Sequence, residues 1–206
     1  MNYAEAWDAE HRKRLMIAKD VDARFRDFAQ RLYGDVEKQQ RWRIRWLDIG
    51  CGTGLNSMWL SQIGFNVVGF DSSPAAIERA RKFDHHGKRL THFLIYDMTE
   101  LGWPFSDRAF DAAVDIRSLE NLTGPEIQRA LINIRRALKP GGKLFSLMAG
   151  PMRDDTLTTV GKVYKPSKDA LEIMIRTAGF SGGVSFIETV EENGRAVEDW
   201  HIEATA

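Results

Sequence analysis

The run Trp46-Leu47-Asp48-Ile49-Gly50-Cys51-Gly52-Thr53-Gly54-Leu55-Asn56 constrains this chain more than any other stretch. An apolar segment ends in an acid, passes glycines at alternate positions and enters a segment with helical spacing. Lacking a Cβ, glycine lets a backbone turn sharply and come close to a ligand. A strand that empties through such a loop into a helix builds a nucleotide-type pocket at the strand's carboxyl end. A second apolar run, Val67-Val68-Gly69-Phe70-Asp71, ends in another acid 17 positions beyond Gly54. A carboxylate there can accept hydrogen bonds from both hydroxyls of a ribose.

This pair of features resembles the class I S-adenosylmethionine-dependent methyltransferases. In that family the glycine loop reads G-x-G-x-G, as Gly50, Gly52 and Gly54 do here. The dinucleotide fingerprint spaces its glycines G-x-G-x-x-G instead, and Leu55 stands where its last glycine would fall. A pyrophosphate also needs backbone N–H groups at a helix N-terminus. An acid such as Asp48 beside the loop suits a ligand carrying an ammonium and a sulfonium. A nicotinamide-dependent oxidoreductase is therefore the disfavoured rival.

The resemblance implies a set of site residues. Asp48 and the backbone of Gly50, Gly52 and Gly54 would hold the methionine part of the cofactor, and Asp71 the ribose hydroxyls. Ser72 would follow along the adenosine. Asp97 would accept from the adenine amino group, and Met98 would offer a backbone N–H and an apolar face. Asp115, ending a fourth strand, falls where the family passes backbone along the methionine end. Two of these acids have local readings as well. Asp48 can serve loop N–H groups, and Asp97 can cap a helix. Tyr3 and Trp7, four apart, read either as a satellite aromatic cluster or as a lid over the cofactor.

Composition narrows the function classes. The 206 residues suffice for one α/β domain with a substantial core. Twenty-nine basic and 29 acidic side chains cancel, which argues against the basic surface that nucleic-acid binders carry. The densest basic runs, Arg12-Lys13-Arg14 and Arg41, Arg43 and Arg45, read as solvated faces. One cysteine, Cys51, rules out an intrachain disulfide and any zinc site built from several cysteines. It is expected to pack rather than react. No cluster at metal-ligand spacing appears, so no metal is expected. Without a signal pattern or a ~20-residue apolar run, the cytoplasm is the expected location. Oligomeric state leaves no readable signal.

The element pattern is that of an α/β doubly wound sheet. Ile17, Val21, Phe25, Phe28 and Leu32 form one apolar stripe, predicting a long amphipathic helix over residues 9–33. Strands are predicted at about 44–49, ending at Asp71, over 91–96 and over 110–116. Ser73-Pro74 reads as a helix cap and Thr123-Gly124-Pro125-Glu126 as a capping box. Lys139-Pro140-Gly141-Gly142 is expected to stop a helix and deliver a fifth strand, residues 143–148. Ser167 is expected to cap a last helix, and residues 184–190 and 195–204 to form a hairpin around Asn193-Gly194. Strands alternating with helices demand a mostly parallel sheet with right-handed crossovers. The hairpin adds one antiparallel strand, the seven-stranded order of the resembled fold. Residues 1–39 are expected to be an N-terminal helical lid and 40–206 the cofactor-binding domain.

The implied reaction is in-line displacement at a sulfonium methyl, with S-adenosyl-L-homocysteine as product. The enzyme would mainly align the reacting atoms and exclude water. A hydroxyl acceptor would also need a base. Many small-molecule members have a histidine after the fourth strand. This chain reads Ser118-Leu119-Glu120-Asn121-Leu122, with Asn121 in that place. The nearby polar candidates are Asp115, Arg117 and Glu120, Arg117 being also a plausible ion-pair partner for either acid. The expectation is a methyltransferase for a small-molecule acceptor. An RNA or protein methyltransferase and a non-catalytic S-adenosylmethionine-binding module are the alternatives.

Overall fold

The computed structural model describes residues 3–13, 20–84, 90–100, 104–150, 163–192 and 195–206, except for the side chains of Tyr3 and residues 182–197. Its strands are β1 (Arg45–Ile49), β2 (Asn66–Asp71), β3 (Thr91–Ile95), β4 (Phe110–Ile116), β5 (Leu138–Ala149), β6 (Ser181–Glu192) and β7 (Arg195–Thr205). β1 to β3 run in the order β3-β2-β1, and β4 to β7 in the order β4-β5-β7-β6. The helices are α1 (Tyr3–Lys13), α2 (Ala23–Tyr33), α3 (Leu55–Gln62), α4 (Pro74–Phe83), α5 (Gly124–Ala137) and α6 (Lys168–Thr177). The chain divides into two compact units, residues 1–98 and 99–206.

In the first unit β1, β2 and β3 are parallel, with Asp48 beside Gly69 and Asp71 beside Ile95. Trp46, Leu47, Asp48 and Ile49 are all buried, the pattern of a strand covered on both faces. The terminal strand β3 buries only Phe93. The helix α4 starts as its sequence dictates. Ser73 caps it by accepting from Ala76 N–H at 3.1 Å, Pro74 takes the first position, and Ile77 and Ala80 face inward.

The stripe over residues 9–33 is two helices rather than one. Asp22 adopts ψ 132° and accepts from Arg24 N–H at 2.9 Å, so α2 begins afresh behind an N-cap. Val21, Phe25 and Phe28 are buried as their spacing requires, while Ile17 lies outside the described residues. The ring of Trp46 is enclosed edge-on by Phe25, Phe28 and Tyr33, with centroids 5.7, 6.3 and 5.9 Å away. Phe65 closes the cluster at 5.9 Å.

In the second unit β4 and β5 are parallel, and β7 runs antiparallel to both β5 and β6. The reversed strand is therefore β7, as expected, and the turn residues Asn193-Gly194 lie outside the described residues. The capping box forms, with Glu126 Oε2 accepting from Thr123 N–H at 2.8 Å and Thr123 Oγ1 at 2.7 Å. The fifth strand departs from expectation. It starts at Leu138, directly after α5, and carries Lys139–Gly142 as an irregularity inside itself. Its register jumps from Phe110↔Leu138 to Ala112↔Lys143. Gly141 N–H donates to the Ala206 carbonyl at 2.7 Å and Ala206 N–H to that of Gly142 at 2.8 Å. The helix does stop before this segment, at Ala137, but the glycines lie inside the strand rather than ahead of it.

Trp46 is fully buried and its indole N–H has no acceptor among the described residues. Trp46→Ala is expected to cost about 3–5 kcal/mol in chemical denaturation. Trp46→Phe sheds the unsatisfied donor while keeping a ring, and is expected to cost less than half as much.

Candidate active site

The glycine loop after β1 holds Gly50, Gly52 and Gly54 at φ 59°, 53° and 85°, a region that side chains with a Cβ rarely adopt. At Gly54 a Cβ would also stand 2.7 Å from the Phe93 ring. Cys51 N–H donates to the Phe70 carbonyl at 2.9 Å, tying the loop to β2. Asp71, at the end of β2, completes the link. Its Oδ2 accepts from Gly52 N–H and its Oδ1 from Ser73 N–H, both at 2.9 Å. Burial raises the Asp71 carboxyl above the ordinary range, against the pull of those two amides and of His11.

Asp48 is buried, and its Oδ2 accepts from Ser57 Oγ of α3 at 2.6 Å. Burial, with Asp48 and Asp71 adding negative charge, pushes the Cys51 thiol well up. The thiol packs in a cluster with Ile77, Ala80 and Phe93. Ser72, Asp97 and Met98 are half-buried. Ser72 directly follows Asp71, and Asp97 falls two residues beyond β3, whose Ile95 pairs with Asp71. Register thus brings both acids to the carboxyl ends of adjacent strands.

Two residues of α1 belong to this arrangement, and neither stands out in sequence. Asp8 Oδ1 accepts from Ser73 Oγ at 2.9 Å and from Ala75 N–H at 2.8 Å, seating α1 on the amino end of α4. His11 is buried beside Trp7, ring centroids 6.0 Å apart, and its Cε1 would lie 3.9 Å from a Cβ on Gly52. The readable signal is the four-residue step of Tyr3, Trp7 and His11. The Tyr3 side chain lies outside the described residues.

In the second unit Asp115 is wholly buried. Its Oδ2 accepts from Ser146 Oγ at 2.6 Å and its Oδ1 from Ser118 and Leu119 N–H at 3.0 and 3.1 Å. Arg117 has φ 65° and directs Nη2 to Asp199 Oδ1 at 2.6 Å and Nη1 to Glu120 Oε2 at 3.4 Å. Asp199 is fully buried, and Glu120 also accepts from Ala149 N–H. Asn121 Nδ2 donates to the Arg117 carbonyl at 2.6 Å. Arg117 therefore pairs with Glu120 but not with Asp115. Asp199, 82 residues away, is the partner that sequence could not supply. His201 meets Glu203 Oε1 at 3.0 Å and the Phe145 ring. Among the described residues no group of three or more His, Cys, Asp or Glu could hold a metal ion, and no helix is long and apolar enough to cross a membrane.

Residues 47–146, from β1 into β5, match the family model described as "Methyltransferase domain". This chain belongs to the class I methyltransferase-domain family. A demethylmenaquinone methyltransferase of Tropheryma whipplei is 31% identical over 141 residues, 68% of this chain and 53% of that protein. The 18S rRNA (guanine-N(7))-methyltransferase of Bos taurus is 32% identical over 141 residues, 67% of this chain and 46% of that one. This methyltransferase-family chain thus spans about half the length of these curated relatives. A SAM-dependent methyltransferase structure from Methanosarcina mazei superposes with a TM-score of 0.68 at 20% identity, covering 90% of this chain and 98% of that one. The fold is accordingly the mostly parallel class I sheet with its antiparallel final strand.

Within this methyltransferase domain, burial pushes the Asp115 carboxyl up to about 7. Ser146 and the Leu119 and Ser118 amides oppose the shift, and nearby Glu120 adds to it. The unfolded group ionises near its ordinary value of about 3.9. Between those pH values the folded state binds more protons, so stability falls as pH rises across the window. Asp115→Asn keeps the acceptor and the serine partner without the ionisation. Urea titrations from pH 4 to 8 are expected to show a shallower decline for Asp115→Asn than for the parent chain.

Proposed function

We propose that the chain is an S-adenosylmethionine-dependent methyltransferase acting on a small-molecule acceptor. The observation that carries this reading is Asp71. Each carboxylate oxygen accepts one backbone N–H and retains a second lone pair, which suits a pair of ribose hydroxyls. Gly52 presents backbone without a Cβ beside it. Asp48 supplies negative charge at the loop that suits an ammonium. The residues present fit the cofactor that the family implies.

When bound, the cofactor supplies an electrophilic methyl on a sulfonium. The chain's own task is placement. In this reading Asp48, Gly50, Gly52 and Gly54 hold the methionine end, Asp71 and Ser72 the ribose side, and Asp97 and Met98 the adenine. Residues 1–39 act as a cover on the 40–206 domain, a role that the Asp8 seat on α4 supports. Arg117, Glu120 and Asp199 position the acceptor at the carboxyl ends of β4 and β5, where ligands of open α/β sheets bind. The left-handed backbone of Arg117 is the kind of local strain that functional sites keep. Asp115 acts through the Ser118 and Leu119 amides it fixes rather than as the base.

A small acceptor fits the balance of 29 basic and 29 acidic side chains. The likeness to an rRNA methyltransferase favours one second reading, an RNA acceptor. Retention on RNA that weakens steeply with salt would support it.

Calorimetry with S-adenosyl-L-homocysteine tests the cofactor reading. Asp71→Ala is expected to weaken binding by ~1–3 kcal/mol, whereas unchanged affinity would remove Asp71 from the site. Transfer of labelled methyl from S-adenosylmethionine to a metabolite extract tests catalysis. Labelling of small molecules is expected. Cofactor binding with no labelled product would leave a non-catalytic binding module.

A further inference from the structure

The strongest unexplained group outside the expected cofactor set is His11. It is buried on α1, and its Nδ1 is closed off from solvent with no hydrogen-bond partner among the described residues. A buried imidazole nitrogen without a partner is costly, so it is an atom waiting for one. Its position indicates which. The ring carbon that would meet a Cβ on Gly52 at 3.9 Å is Cε1, the atom between the two ring nitrogens. Gly52 in turn gives its N–H to Asp71 Oδ2. His11 therefore borders the same short segment of backbone that Asp71 grips.

The hydrogen-bond count at a ribose supplies the missing step. Each hydroxyl has one proton to donate and two lone pairs to fill. Asp71 is acceptor-only when ionised, so it takes the protons and leaves the hydroxyl oxygens in need of a donor. The backbone N–H groups of Gly52 and Ser73 are already committed to Asp71. An imidazole N–H is a donor of the right kind.

We propose that His11 is a further cofactor residue, its ring turning so that the enclosed Nδ1 donates to a ribose hydroxyl whose own proton Asp71 accepts. This role rests on the reading that Asp71 holds the ribose of an S-adenosyl cofactor. It gives α1 a polar hold on that cofactor, distinct from any aromatic cover by Trp7. Asp8 sets the hold in place by fixing α1 against Ser73 and Ala75.

The test is calorimetry on the full chain with S-adenosyl-L-homocysteine and its 2′-deoxy and 3′-deoxy analogues. The parent chain is compared with His11→Phe, which keeps ring volume against Trp7, and with His11→Ala. Thermal melts report whether each variant is folded. Loss of one hydrogen bond is expected to weaken S-adenosyl-L-homocysteine about 3- to 10-fold in both variants. For one deoxy analogue that difference should shrink to less than about 2-fold, because the hydroxyl that His11 serves is gone. Equal affinity of parent and His11→Phe for S-adenosyl-L-homocysteine would overturn the proposal. So would the same loss on all three ligands, the mark of a structural role. A parent chain that binds none of them would overturn the cofactor reading itself, and this role with it.

Discussion

The Asp71 carboxylate is the joint on which the first unit depends. One oxygen holds the amide of Gly52 in the loop after β1, and the other holds the amide of Ser73 in the turn after β2. Two loops from neighbouring strands are thereby fixed by one side chain. Ser73 then caps α4 and gives its hydroxyl to Asp8, so α1 is registered against the same joint. Removing Asp71 would free two backbone donors and loosen three elements together. A charged group kept where burial disfavours it needs such donors, and here the donors are what the site has to hold still.

The same device recurs at the other strand-end acids. Asp48 is held by Ser57 and Asp115 by Ser146, each across 2.6 Å, and Asp115 also by two amides of the turn it leads. Asp115 fixes a local backbone path through hydroxyl and amide donors, and Asp48 ties the end of β1 to α3 through a hydroxyl. The division of labour follows from the strength of the hold. Asp115, wholly enclosed, shapes the turn through residues 117–121, while Arg117 leads from that turn to Asp199. The acids with oxygen lone pairs to spare are the ones suited to meeting a ligand.

Legibility in sequence followed the range of the interaction. The alternate glycines, the Ser73-Pro74 cap, the capping box at Thr123 and the strand-end acids are local, and each formed where its spacing placed it. One local signal misled and another was read only in part. The apolar stripe over 9–33 continued through Asp22, whose cap splits it because carboxylate-to-amide bonding competes with helix. Lys139–Gly142 carried the composition of a helix stop, and α5 does end just before them at Ala137, but pairing of Gly141 and Gly142 with Ala206 puts them inside the strand they were expected to precede. The long-range partners were invisible. Asp8 reaches residues 65 and 67 positions away, and Arg117 one 82 away. No periodicity encodes such pairs; only the fold brings them together.

The most direct measurement of the central claim is a crystal structure of the chain grown with S-adenosyl-L-homocysteine. The account predicts ribose oxygens within about 2.5–3.0 Å of Asp71 Oδ1 and Oδ2, with the Gly52 and Ser73 amides still bound to the same carboxylate. A nucleoside seated elsewhere, or an Asp71 side chain turned away from the ribose, would contradict it.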